Sequence, residues 1–219
     1  MLPDDVEAIV FDLYGTLLDV EGLEATVQQA LPGAGGLVRL WRAKQLEYAF
    51  IRTLACRYID FWAVTGDALD DACARLALTL DPAARDHLMD GWNRLEPFPD
   101  VVPALDALSV RPLAVLSNGS PTMLERALTA GGLRSRFGHV LSTDLVQRFK
   151  PDPAVYALAP GHLMVPARRL LFVSGNGFDV AGAGQFGMRV ARLDRAGTPL
   201  DRLGVEPDMT LRSLHELAS

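Results

Sequence analysis

Asp12 closes the short apolar run Ala8-Ile9-Val10-Phe11 and is followed at once by Tyr14, Gly15 and Thr16. A charge at the end of a buried strand costs free energy unless it is paired. A carboxylate kept there therefore suggests chemistry, as a nucleophile or a base. Three more stretches have the same form, an apolar strand and then polar residues: Ser117-Asn118-Gly119-Ser120, Lys150 to Tyr156, and Ser174-Gly175-Asn176-Gly177-Phe178-Asp179. The carboxyl ends of adjacent parallel strands converge, so residues far apart in sequence can share one pocket. Taken singly, each has a plainer reading. Ser120 before Pro121 fits a helix cap, and Asp179 fits the start of a helix. Lys150 fits a loop lysine, and Tyr156 a core residue with a wet hydroxyl. Taken together, four such ends carrying an Asp, a Ser-Asn pair, a Lys and an Asn/Asp pair are much harder to dismiss as caps and turns.

The elements that must position these groups follow from the hydrophobic pattern. After the first strand, residues 20–93 carry apolar residues at helical spacing, most clearly over 37–54. A second helix is expected over 68–78, starting near Gly66 or Asp67, and a third begins at Asp81-Pro82. Glu96-Pro97-Phe98-Pro99-Asp100 is a stiff exit from this helical stretch. Strands are then expected over 112–117, 139–143, 169–174 and 188–193, alternating with helices over 121–130, 153–163 and 179–186. That alternation predicts an α/β fold with a doubly wound, Rossmann-like parallel sheet. The division is a core of residues 1–19 and 97–219 with a helical cap domain of residues 20–96 inserted into it. Gly182-Ala183-Gly184-Gln185-Phe186-Gly187 matches G-x-G-x-x-G, but it follows a helix start and precedes a strand. A dinucleotide site needs the reverse order. The glycines are expected to allow close packing and to end the helix, so no nicotinamide cofactor is expected.

Composition removes other classes. The chain has 219 residues, 49% hydrophobic and 22% charged, as in an ordinary globular protein. Its formal charge of −6 and lack of a Lys/Arg run argue against nucleic acid as a partner. Cys56 and Cys73 have no partner at metal-ligand spacing and are expected to be buried or inert. No stretch is long enough to span a membrane, and Met-Leu-Pro-Asp-Asp lacks a signal-peptide core, so a cytoplasmic location is expected.

The residues quoted above resemble a known family. D-x-Y-G-T-L at Asp12, Ser-Asn-Gly-Ser at 117–120, Phe-Lys-Pro-Asp-Pro-Ala-Val-Tyr at 149–156 and Leu-Phe-Val-Ser-Gly-Asn-Gly-Phe-Asp at 171–179 look like the four motifs of the type II (L-2-)haloacid dehalogenases. Leu40-Trp41-Arg42-Ala43-Lys44-Gln45-Leu46-Glu47-Tyr48 extends the likeness into the helical insert. The resemblance implies that Asp12 attacks C2 of a 2-haloacid and forms an ester, held by Thr16 and assisted by Lys150. Ser117 would bind the substrate carboxylate, with Tyr14 lining the site. Arg42 and Asn118 would receive the halide. Tyr156 would bond toward Lys150 or Arg42. Ser174, Asn176 and Asp179 would orient and activate the hydrolytic water, with Lys150 as the alternative base. Leu46, Phe61 and Phe178 would wall the alkyl group. No cofactor or metal is implied, and a homodimer is, with the helix face around Trp41 and Phe50 available for it.

Three residues depart from the family pattern: Gly175 for a common serine, Ala43 for glutamine and Phe178 for tryptophan. These bear on substrate size and halide preference. The competing enzymatic reading is a Mg²⁺-dependent phosphatase or phosphonatase of the same superfamily. It lacks its usual second acid, because position 14 is Tyr, and Asn176 leaves few oxygen ligands for a cation. A non-catalytic small-acid binder would have no use for Asp12.

Overall fold

Every residue of Ala8–Phe11 (β1) is buried, as expected of a strand covered on both faces. Alternate residues serve opposite layers: Ile9 and Phe11 join one hydrophobic cluster, Ala8 and Val10 the other. The computed structural model describes residues 2–218. It places β1 within a six-stranded sheet, with Leu113–Ser117 (β2), His139–Ser142 (β3), Leu170–Ser174 (β4), Arg189–Leu193 (β5) and Met209–Leu211 (β6) in the order β3-β2-β1-β4-β5-β6. All five pairings are parallel. The chain builds outward from β1 first through β2 and β3, then on the other side through β4 to β6. The switch between β1 and β4 opens a crevice at the carboxyl ends of those strands. Asp12 follows β1 directly, and β4 ends at Ser174.

The insert between β1 and Glu96 carries four α-helices and no named strand: Leu23–Ala30 (α1), Leu37–Leu54 (α2), Phe61–Arg75 (α3) and Pro82–Gly91 (α4). α2 packs on α3 and α1 on α4. The two connections to this insert run side by side. Asp19 N donates to Glu96 O at 2.9 Å and Phe98 N to Leu17 O at 3.0 Å. Val101–Leu108 (α5) then leads into β2, and Pro121–Ala130 (α6), Pro153–Tyr156 (α7), Leu158–Leu163 (α8), Gly177–Phe186 (α9) and His215–Ala218 (α10) complete the chain.

The helices start where side chains can take up their free N–H groups. Asp81 accepts from Ala84 N at 2.7 Å and Ser120 from Met123 N at 3.4 Å, the latter as read from the sequence. α3 begins seven residues earlier than the expected start at 68, at Phe61, with Asp60 accepting from Ala63 N at 3.0 Å. Gly66, unfavourable inside a helix, hides that start in the sequence. It is tolerated because the guanidinium of Arg85 lies against it, where a Cβ would fall 2.8 Å from Nη2. The expected helix over 153–163 is two, α7 and α8, meeting at Ala157. β3 stops at Ser142, because Thr143 turns away and gives its hydroxyl to Asn118 O at 3.2 Å. Gly187, at φ +98°, ends α9. Gly182 lets the Tyr156 ring lie directly on that helix.

Two expectations change. Trp41 is fully buried, its indole donating to Thr65 O at 2.7 Å, and cannot serve an outer face. The exposed large apolar residues of α2 are Ile51 and Leu54. Cys73 is buried as expected, but Cys56 is exposed. No helix among the described residues is long and apolar enough to cross a membrane.

Candidate active site

The loop after β1 is shaped by Gly15, whose φ of +81° a side chain would resist. The turn brings Thr16 back over Asp12. Asp12 is 5% exposed, and its two oxygens differ. Oδ2 accepts from Thr16 Oγ1 at 2.8 Å and from Asn176 Nδ2 at 2.7 Å. Among the described residues, Oδ1 accepts from Lys150 Nζ alone, at 3.0 Å. Thr16 Oγ1 also accepts from Gly175 N at 2.9 Å, which leaves its proton for Asp12. Asn176 is aimed by its backbone N–H, bound to Ser174 Oγ at 3.0 Å, and by a second donation to Tyr14 O at 3.1 Å.

Lys150 Nζ bridges two buried carboxylates, Asp12 and, at 2.7 Å, Asp179 Oδ2. It stands 4.9 Å from the centre of the Phe172 ring, and its backbone N–H is fixed by Asn118 Oδ1 at 3.0 Å. Asp179 does not cap α9; it is fully buried, and its Oδ1 takes the Tyr156 hydroxyl at 2.7 Å. Burial pushes the Asp179 carboxyl up to about 6, against the opposing pull of Lys150. Burial and the neighbouring Asp179 push the Tyr156 phenol well above its ordinary range. Tyr156 thus bonds to Asp179, not toward Lys150 or Arg42.

Arg42 reaches the loop from α2. Its Nη1 donates to Gln45 Oε1 at 2.6 Å and its Nη2 to Tyr14 O at 3.4 Å, with Cζ 5.7 Å from the Trp92 ring centre. Burial draws its pKa down while the charge of Asp12 draws it up. Among the described residues it forms no ion pair, so its charge is available to an incoming anion.

The remaining expected residues surround this centre at different depths. Ser117, at the end of β2, is buried and accepts from Gly119 N at 3.3 Å, which leaves its proton free. Asn118 keeps its amide N–H groups free, since its carbonyl oxygen serves Lys150. Tyr14 is buried with an unpartnered hydroxyl. Phe178 packs on Phe50, ring centres 5.3 Å apart, beside a cavity of about 900 Å³ that also touches Lys150. Leu46 is half-buried. Phe61 is fully buried against Phe149, ring centres 5.6 Å apart, with no contact to Asp12 given by that packing. A second cavity, of about 960 Å³, is lined in part by Gly15, Arg42, Gly175 and Asn176. Sequence reasoning missed Gln45, Thr65 and Trp92. The three-residue spacing of Arg42 and Gln45 on one helix was the only signal for the first.

A divalent cation suits this donor set poorly. The position between Asp12 and Asp179 holds an ammonium, and Asn176 turns its amide N–H, not its oxygen, to Asp12.

Comparisons with known proteins place the chain in a family. The family described as haloacid dehalogenase-like hydrolase matches residues 6–187. An (S)-2-haloacid dehalogenase of Pseudomonas sp. (strain YL) is 42% identical over 214 residues, covering 96% of this chain and 92% of that protein. The crystal structure of an L-2-haloacid dehalogenase, 44% identical, superposes with a TM-score of 0.94 over 97% of both chains. The L-2-haloacid dehalogenase of Xanthobacter autotrophicus with chloropropionic acid covalently bound is 37% identical and superposes at 0.92 over 97% of both. The chain belongs to the haloacid dehalogenase-like hydrolase family, and within it groups with the L-2-haloacid dehalogenases.

Proposed function

We propose that this enzyme converts L-2-haloacids to D-2-hydroxyacids by way of an ester on Asp12, without a metal or organic cofactor. The observation that carries the reading is the asymmetry of Asp12. One oxygen is saturated by Thr16 and Asn176, and the other has a lone pair free beside Lys150.

In the first step Oδ1 attacks C2 from the side opposite the halogen. The O–C bond forms as the carbon–halogen pair leaves with the halide. The Arg42 guanidinium and the free amide N–H of Asn118 receive the departing charge. Ser117 holds the substrate carboxylate, and the charge of Lys150 offsets repulsion between that anion and Asp12. Backside displacement inverts C2.

In the second step water attacks Cγ of Asp12, not C2, so the inversion stands. The negative charge that develops on Oδ2 already has two donors, Thr16 Oγ1 and Asn176 Nδ2, in place. Asp179, raised to about 6, is tuned to take the water's proton near neutral pH. Lys150 links it to Oδ1, which leaves as the product's hydroxyl oxygen and needs that proton. Asp12 is regenerated as a carboxylate carrying the oxygen of water, whose second proton is released to solvent.

The insert, residues 20–96, acts here as a cap domain over a core of residues 1–19 and 97–219, because Arg42 must meet the loop after β1. Ile51 and Leu54 offer the apolar surface for a homodimer. Halide release from the L-enantiomer of 2-chloropropionate, unaffected by chelator and absent with the D-enantiomer, is the expected result. Phosphate release from a phosphomonoester, dependent on Mg²⁺, would overturn the reading.

A further inference from the structure

Arg42 is held by a chain of hydrogen bonds that ends in the backbone of α3. The Thr65 hydroxyl donates to Phe61 O at 2.6 Å. Gln45 Nε2 donates to that hydroxyl at 2.6 Å, and Gln45 Oε1 accepts from Arg42 Nη1 at 2.6 Å. Gln45 and Thr65 are both fully buried, and Thr65 O is anchored by the Trp41 indole. A hydroxyl has one proton. Because that of Thr65 is committed to Phe61, toward Gln45 it can only accept. The Gln45 amide must then turn its NH₂ to Thr65 and its carbonyl to Arg42. No other arrangement satisfies all three groups.

We propose that Gln45 is a positioning residue for the dehalogenation step. It aims the Arg42 guanidinium at the halide leaving C2 while keeping its positive charge unspent, and Thr65 sets the sense of the Gln45 amide. The inference rests on the reading of Asp12 as nucleophile and Arg42 as receiver of the halide. A neutral carbonyl is the suitable partner. A carboxylate at this place would form a charge-assisted pair with Arg42 and compete with the halide for it. The Trp92 face supports the other side of the guanidinium without neutralising it.

The test separates the two chemical steps in a single-turnover experiment on the wild type, Gln45→Met, Thr65→Val and Thr65→Ser, with Tm measured for each. In Gln45→Met, halide release should slow about 10- to 100-fold, as for loss of a hydrogen bond to a charged group. Hydrolysis of the ester should stay within about twofold, because Arg42 takes no part in it. The slowing should be greater for 2-chloropropionate than for 2-bromopropionate, since the poorer leaving group needs more assistance. Thr65→Val should reproduce this pattern and Thr65→Ser restore the wild-type rate. Equal slowing of both steps, or of both halides, would overturn the proposal, as would a Thr65→Ser no better than Thr65→Val. Should Gln45→Met fail to fold, the Thr65 pair gives the same decision. Halide release by the wild type in the same experiment shows whether a failure belongs to Gln45 or to the dehalogenase reading itself; wild type that releases none removes both.

Discussion

Asp12→Ala is expected to abolish halide release, lowering kcat by more than about 10⁴-fold, because no neighbouring group can supply the same bond. Asp179 cannot substitute. Its oxygens are held by Lys150 and Tyr156, which fix the carboxylate away from the position of Oδ1. The fold should survive. Removing Asp12 leaves Lys150 paired with Asp179, one buried cation with one buried anion, and the Thr16 hydroxyl can turn to water in the space vacated. Activity and Tm measured on the same preparation therefore distinguish loss of chemistry from loss of structure. Residual turnover above about 1% of wild type would exclude Asp12 as the nucleophile.

Lys150→Met should damage both. The ammonium is 1% exposed and lies within ion-pair distance of two carboxylates, at 3.0 and 2.7 Å. Taking one partner from a buried ion pair leaves a charge uncompensated, at a cost of about 3–5 kcal/mol. The loss should depend on pH, and its sign follows from Asp179. Burial already raises that carboxyl above its unfolded value of 3.8, and Lys150 is what opposes the rise. Without Lys150 its folded pKa moves higher than about 6. A folded carboxyl that binds its proton more tightly than the unfolded one favours folding at low pH. That contribution fades as pH rises through the folded pKa. Lys150→Met should consequently be closer to wild type in denaturant stability near pH 5 than near pH 8. The opposite slope, or no slope, would mean that Asp179 is not held down by Lys150. Turnover should be lost at every pH, because the relay between Asp179 and Oδ1 that hydrolyses the ester is broken.

Much of this centre was legible because it sits where apolar runs stop. Asp12, Ser117 and Ser174 each end or directly follow a buried strand, and parallel pairing brings those ends together without further information. Lys150 and Asp179 were readable as polar residues in the segments just beyond strands, but not their mutual distance, which depends on how α9 lies on β4. The partner of Tyr156 was misread for a similar reason. Its reach is set by Gly182, whose missing side chain admits the ring to α9. Gln45 and Thr65 were invisible as a unit. Both are ordinary helix residues, and their hydrogen bonds exist only once α2 packs on α3. Local pattern also failed where tertiary contacts outweigh propensity. α3 runs through Gly66, and the expected helix over 153–163 breaks at Ala157. The burial of Trp41 shows that an aromatic on an amphipathic helix signals the inner face of that helix more strongly than an outer one.

The central claim is that the bond to substrate forms at Asp12 and is hydrolysed at its Cγ. Enzyme in excess over L-2-chloropropionate, in water enriched with ¹⁸O, tests it in one turnover. The hydroxyacid should carry unlabelled oxygen from Asp12, and the label should appear in the peptide containing Asp12. Label in the product after that first turnover, with none in the protein, would mean that water attacks C2 directly, and the covalent mechanism would be wrong.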